Sequence, residues 1–109
     1  MAKHEFGIMR TAPRAHERYD LYEPDKYRCI SVPDETVEPL LERLSAVECF
    51  WHTLQHPGKG LAYAGITLIP PASLAELLRC LDGAPGTEEL KALISQAIQE
   101  EKYIIHFGI

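Results

Sequence analysis

Three groups of residues have types and spacings that chemistry could use. Cys49, His52 and His56 form C-x2-H-x3-H, a thiol and two imidazoles of the kind that ligate zinc. The stretch Arg14-Ala15-His16-Glu17-Arg18-Tyr19-Asp20-Leu21-Tyr22 concentrates Arg, Tyr and His where no apolar period exists. Tyr and Arg join contact area to directional hydrogen bonds and are enriched in binding hot spots. Arg14 or Arg18 could also pair a carboxylate or phosphate. Gly58-Lys59-Gly60 could present backbone N–H groups and an ammonium to a phosphate.

Each group has a plainer reading. On a strand, Cys49 and His52 point to opposite faces because their separation is odd. His52 and His56 share a parity but lie more than ~10 Å apart in an extended chain at ~3.3 Å per residue. Ordinary strand and turn residues are therefore favoured, and neither a metal nor any other cofactor is expected. The Gly-Lys-Gly segment lacks the phosphate-loop pattern and precedes a strand rather than a helix, so it reads as a hairpin turn. A cysteine nucleophile needs a thiolate beside a base. Cys80 belongs to an apolar helix, while Cys29 and Cys49 alternate with core residues, so buried inert thiols are the simpler assignment. A pair of Cys29 or Cys49 with His106 is conceivable across neighbouring strands. For the Arg/Tyr stretch, the plain alternative is a loop wrapped over the sheet, burying its tyrosines for stability alone.

The chain of 109 residues suits one domain with no second core, and 46% apolar with 25% charged residues is ordinary for a globular protein. A net charge of −5 argues against nucleic acid, whose phosphates require a basic face. That charge is uneven: residues 1–28 hold six Lys/Arg against five Asp/Glu, and residues 34–48 hold five acids against Arg43 alone. Three cysteines without scaffold spacing, a start without an apolar leader and no long apolar run point to a cytoplasmic protein with no membrane partner.

Periodicity places these residues. Strands are predicted over 5–10 and 27–32, separated by an irregular connection over 11–26. A connection that long is usually functional or disordered. Asp34 or Thr36 caps a helix striped by Val37, Leu40, Leu41 and Leu44, with Pro39 in its first turn if Thr36 is the cap. Strands over 49–54 and 61–69 flank a type II turn at His56-Pro57-Gly58-Lys59. The second of them is apolar on both sides, hence central, with Gly65 marking a bulge or close approach. Ser73 caps a helix carrying Leu74, Leu77, Leu78 and Leu81. It is broken by Asp82–Gly86 and resumes at Thr87, and the chain closes with a strand over 103–109. The order predicts an α+β fold: a ferredoxin-like β-α-β-β-α-β antiparallel sheet with a broken second helix and an extra N-terminal strand at an edge. His4-Glu5-Phe6-Gly7-Ile8 and Ile105-His106-Phe107-Gly108-Ile109 echo one another too briefly to be a repeat.

Trp51 and His52, as strand neighbours, must face opposite ways. Tyr27, Trp51, Tyr63, Tyr103 and Phe107 could share the sheet face that lacks helices, with His52 or His106 at the edge of a cleft there. The rival use of that face is a dimer interface. Tyr22-Glu23-Pro24, Tyr27-Arg28-Cys29-Ile30-Ser31-Val32, Trp51-His52-Thr53-Leu54, Gly65–Pro71 and Ile105–Ile109 together resemble small bacterial proteins of unassigned function. That resemblance implies a bacterial cytosolic origin and brings no activity with it. The expected function is a non-enzymatic binding or regulatory protein acting through a protein partner or self-association. The alternative is a small-molecule binder or enzyme with its site between the N-terminal loop and the sheet. The candidate binding residues are Arg14, His16, Arg18, Tyr19, Tyr22, Trp51, His52 and His106.

Overall fold

Side-chain alternation along the strands decides the layering. In β1 (Lys3–Ile8), His4, Phe6 and Ile8 turn toward one face of a sheet, while Glu5 and Gly7 turn toward the other. A computed structural model describes residues 2–109. Its sheet contains β1, β2 (Ile30–Pro33), β3 (Glu48–Trp51), β4 (Pro57–Lys59), β5 (Ile66–Ile69) and β6 (Ile104–Phe107). The order is β2-β1-β6-β5-β3-β4, with every neighbouring pair antiparallel. β5 and β6 are buried at every position, which is why β5 reads as apolar on two sides.

Helices cover one face. The segments are α1 (Asp34–Val37), α2 (Leu41–Leu44), α3 (Leu74–Cys80) and α4 (Glu88–Glu100). Their stripes, among them Val37, Leu44, Leu74, Leu77, Leu90 and Ile94, close over Phe6, Val32, Ile69 and Ile104. Each such side chain taken from water contributes about 1.5–3 kcal/mol. The opposite face carries a second apolar cluster: Met9, Ile66, Leu68, Ile105 and Phe107, with Tyr19, Tyr27, Phe50, Leu54 and Tyr103 packed on it. The long connection is thus the cover of that face.

The α+β class and the antiparallel sheet are as the pattern predicts; the ferredoxin-like order is not. In that plait the strand before the first helix lies inside the sheet, whereas here the corresponding β2 is an edge. β1, expected at an edge, sits between β2 and β6 because the 11–28 connection folds back and lets β2 pair with β1 as a hairpin partner. The expected turn at His56–Lys59 is also displaced. His52 adopts a left-handed backbone (φ 65°), ending β3 early. Residues 52–56 then make the turn, so Pro57–Lys59 is free to pair with β3. The helix over 34–44 begins at Asp34, which puts Pro39 in its interior rather than its first turn. Without an N–H, Pro39 interrupts the ladder, and a 3-10 turn over Glu38–Leu40 separates α1 from α2.

Ser73 and Thr87 stand at helix starts but cap neither helix with their side chains. Ser73 Oγ donates to the Glu48 carbonyl at 2.6 Å, and Thr87 Oγ1 to the Ala84 carbonyl at 2.8 Å. Both hydroxyls tie a helix entrance to its surroundings instead.

Gly7 seats the cover. A Cβ at Gly7 would lie 2.7 Å from Tyr27 Cβ and 2.8 Å from Cys29 Sγ, closer than real side chains approach. The missing side chain lets the 3-10 turn Pro24–Tyr27 lie directly on β1. Gly7→Ala is expected to cost about 1–3 kcal/mol through overpacking. In urea denaturation its midpoint should fall, and amide exchange should quicken first in residues 24–29. An unchanged midpoint would show that the turn is not seated by this contact.

Candidate functional site

The far-face cover leaves a hollow beside it. It lies where the chain leaves β1, between the start of the long connection and the 3-10 turn Pro24–Tyr27. Its volume is about 420 Å³, and Met9, Arg10, Arg14, Glu17, Tyr19, Lys26 and Tyr27 line it. Each wall has a local cause. Met9 is fixed as floor by its N–H bond to the Tyr103 carbonyl (2.9 Å), and Arg10 follows immediately at the rim. Arg14 and Glu17 are joined by a turn in which the Glu17 N–H donates to the Arg14 carbonyl (3.2 Å). Tyr19 is held by its backbone N–H bond to the His52 carbonyl (2.7 Å), and its hydroxyl donates to Glu17 Oε1 (2.6 Å). Burial, then the Glu17 contact, pushes the Tyr19 phenol well above its ordinary range, so it stays protonated.

The electrostatics of the hollow oppose those of the whole molecule. Arg10, Arg14 and Lys26 take part in no ion pair formed among the described residues, although the chain as a whole carries a net −5. Lys26 Nζ stands 5.5 Å from the Tyr27 ring centre, where the ring face stabilises the ammonium without neutralising it. Two guanidiniums and an ammonium thus face one space against one carboxylate, Glu17, which is already engaged by Tyr19. Planar guanidinium forks match the paired oxygens of carboxylate or phosphate.

The candidate residues read from sequence divide into separate places. Arg14 and Tyr19 line the hollow. His16 Nδ1 meets the Gln55 side-chain amide at 3.0 Å, tying the connection to the 52–56 turn. Arg18 is exposed and bonded to Asp20 at 3.0 Å. His52 Nδ1 lies 3.0 Å from both the Tyr19 carbonyl and Asp20 Oδ1, so this ring is a clasp on the connection. Tyr22 donates to the buried Glu5 carboxylate and meets Phe107 edge-on at 5.4 Å. That bond raises the Tyr22 phenol to about 12. His52 and Tyr22 flank a shallower hollow of about 260 Å³ with Asp20, Gly65 and Phe107.

Trp51 and Tyr63 do not share the far face as expected, and of the two histidines considered for a cleft edge there only His52 borders a far-face hollow. Trp51 donates its indole N–H to the Gly60 carbonyl at 3.0 Å, Tyr63 reaches Asp34, and His106 pairs with helix-facing Phe6 across β1 and β6. Nor do Cys49, His52 and His56 converge: Cys49 is in the helix-side core, His52 clasps the far-face cover, and His56 lies against Trp51. Among the described residues no cluster of three ligand-type side chains forms. Burial raises the Cys29 and Cys49 thiols to about 12 and lifts Cys80 as well, so none is primed as a thiolate.

A second polar constellation, unread in the sequence except for His106, lies under the helices. The Ala62 N–H donates to Thr67 Oγ1 (2.8 Å), and Thr67 Oγ1 lies 3.2 Å from His106 Nδ1. His106 Nε2 is 2.8 Å from His4 Nδ1, and His4 Nε2 is 2.9 Å from Asp34 Oδ1. The Tyr63 hydroxyl also donates to Asp34, at 2.7 Å to each carboxylate oxygen. Asp34 as a carboxylate can only accept, so with both rings neutral Thr67 donates its proton to His106 Nδ1 and His106 carries its hydrogen on Nε2. That hydrogen goes to His4 Nδ1, which leaves His4 Nε2–H for Asp34. Every donor in this chain points one way, toward the carboxylate. The bonds from Tyr63 and His4 hold the Asp34 carboxyl below its usual range, and the bond to Asp34 raises Tyr63 to about 12.

Thr-His-His-Asp in a row resembles an activated hydroxyl, yet Thr67, His106 and His4 are fully buried and line neither hollow. The chain is therefore a polar tie between β5, β6, β1 and α1. The brief His…Phe-Gly-Ile echo contained the one usable signal. As a repeat it fails, since Phe6 and Phe107 face opposite sides, but its two histidines touch. Tyr27 was expected on this face, whereas Arg10 and Lys26 were missed because they fall at the margins of the irregular connection. The cation surplus in residues 1–28 was their only trace. No family model, no curated protein and no solved structure matches this chain.

Burial and the neighbouring His4 lower the His106 pKa from 6.5 to about 3. Unfolding releases this restraint, so below about pH 6.5 the unfolded chain takes up a proton that the folded chain refuses. Stability is then lost as pH falls from about 6.5 toward 3. His106→Gln retains an amide donor for His4 and an acceptor for Thr67 but cannot titrate. Between pH 6.5 and 4.5 the wild type should lose about 2 kcal/mol more than this variant in urea denaturation, at about 1.36 kcal/mol per pH unit per proton. Parallel losses would place a neutral, buried His106 in doubt.

Proposed function

We propose that this chain is a non-enzymatic binding protein that captures a small ligand through its anionic group. Its site is the hollow between the N-terminal connection and the sheet. The observation that carries the reading is the set of unneutralised cations, Arg10, Arg14 and Lys26, walling one hollow above Met9, Tyr19 and Tyr27 on an otherwise acidic chain. The apolar floor and the three convergent cations are the usual make-up of a ligand pocket. A binding role rather than a catalytic one is supported by the chemistry of the walls: three permanent cations, a phenol held protonated and an engaged carboxylate provide capture but no acid–base pair. A cytoplasmic setting goes with this reading, because all three cysteines are free.

A second reading keeps a protein partner or a second copy of the chain. It rests on Leu21 (71% exposed), Tyr22 (60%) and Ile109 (44%), which stand at or next to the shallow hollow beside His52. Sedimentation separates the two: a dimer dispersed by Leu21→Ser supports self-association, and a monomer leaves the anion site as the reading.

The direct test is a titration with inorganic phosphate, followed by backbone amide NMR at fixed ionic strength. Saturable shifts should concentrate in residues 9–14 and 26–28. Arg10→Ala should weaken binding about tenfold, the worth of one charge-assisted bond of about 1.5 kcal/mol. The affinity should also fall as salt screens the cations. Shifts that never saturate, or that scatter over the surface, would overturn the reading.

A further inference from the structure

The hollow does not end at Lys26 and Tyr27. The same two side chains, with Arg10, wall a second hollow of about 360 Å³ on their other side, floored by Ile8 and Leu93 and flanked by Arg28 and Lys102. Five of the eleven Lys/Arg residues therefore line a trough made of these two adjoining hollows, three of them in the first and two more in the second. Two acids border it, Glu17 bonded by Tyr19 and Glu100 bonded by Gln96 and Lys102.

The backbone at the second hollow is unusual in a way that concerns its cations. Only three non-glycine residues among those described have a left-handed backbone, and two of them are here. Arg28 (φ 50°) is held by its N–H bond to the Asp25 carbonyl, and Glu101 (φ 54°) turns the chain so that Lys102 follows against the end of α4. A non-glycine residue in that region is strained and persists where the surroundings hold it. At both places the strained turn delivers a cation to the trough. The α4 carbonyl end and Glu100 reduce the positive potential beside Lys102, so Arg28 is the stronger cation of the second hollow.

Cations shared between two adjoining compartments suit a ligand whose anionic groups are themselves adjacent and linked. Arg10 and Lys26, reachable from both sides, would lie against the bridge, with Arg14 and Arg28 beyond each end. We infer that the trough binds a compound carrying two or more linked phosphoryl groups, laid across Lys26 and Tyr27. This rests on the first hollow being an anion site, and it adds the second hollow and the class of ligand.

The experiment compares orthophosphate, pyrophosphate and tripolyphosphate by calorimetry at constant ionic strength, with amide NMR locating each. The expected result is that tripolyphosphate binds at least about tenfold tighter than orthophosphate, because the second contact becomes intramolecular. Arg28→Gly, whose new residue accepts the left-handed backbone, should collapse that ratio toward unity, and Lys102→Gln should reduce it less. Orthophosphate binding with no chain-length gain, or a gain that survives Arg28→Gly, would overturn the inference while leaving the anion site standing. Absence of saturable phosphate shifts in residues 9–14 would remove both.

Discussion

The helix side of the sheet depends on one directed run of hydrogen bonds. It starts at the Ala62 amide, passes through Thr67, His106 and His4, and ends on the Asp34 carboxylate. Two imidazoles and a hydroxyl enclosed in an apolar core would each cost about 1–3 kcal/mol if left unpaired. Here each finds a partner only in the presence of the others, and no buried side-chain polar atom among the described residues is without one. Residues 102 positions apart, His4 and His106, are thereby locked into one register. The same run sets where α1 begins, because Asp34 must reach His4, and where residues 61–65 lie, because Ala62 and Tyr63 are bound at its two ends.

That arrangement separates structural from recognition chemistry. The carboxylate, imidazoles and hydroxyl that resemble catalytic parts are consumed in holding the helix face together. His4 and Arg10 lie six residues apart on and just beyond β1, roughly 20 Å at ~3.3 Å per residue. The unneutralised cations gather at that far end, on the other face, where the cover rests against the sheet through the bare backbone of Gly7. The 3-10 turn seated there presents Lys26, Tyr27 and Arg28 together.

Local pattern was enough for some of this and not for the rest. The stripe of Leu74, Leu77 and Leu90 repeats at the helical period, the 61–69 strand is apolar on both sides and the chain closes in a strand-forming run, so these elements could be read directly. The irregular 11–26 connection stood out because nothing periodic explains it, and two of its residues, Arg14 and Tyr19, line the hollow. Strand order was not legible. The position of β1 depends on which edge the connection returns to, and no local period encodes that. Pro57-Gly58-Lys59 has turn composition, yet it pairs as a strand because Trp51 packs onto Gly58 and donates to the Gly60 carbonyl. Pro39 was recognised, but its effect turned on a three-residue difference in where the helix starts.

The central claim is that the His4–His106 run is a neutral, one-way structural tie, apart from the recognition site. Long-range nitrogen–proton NMR of the imidazole rings tests it most directly, recorded from pH 8 to 5 with and without pyrophosphate. The account predicts that His4 and His106 each carry the proton on Nε2 and none on Nδ1 at pH 8. It also predicts that His106 does not titrate over that range and that neither ring responds to pyrophosphate. A proton on His106 Nδ1, titration of His106 between pH 7 and 6, or ring signals that move with pyrophosphate would contradict it and put the buried run in the functional site.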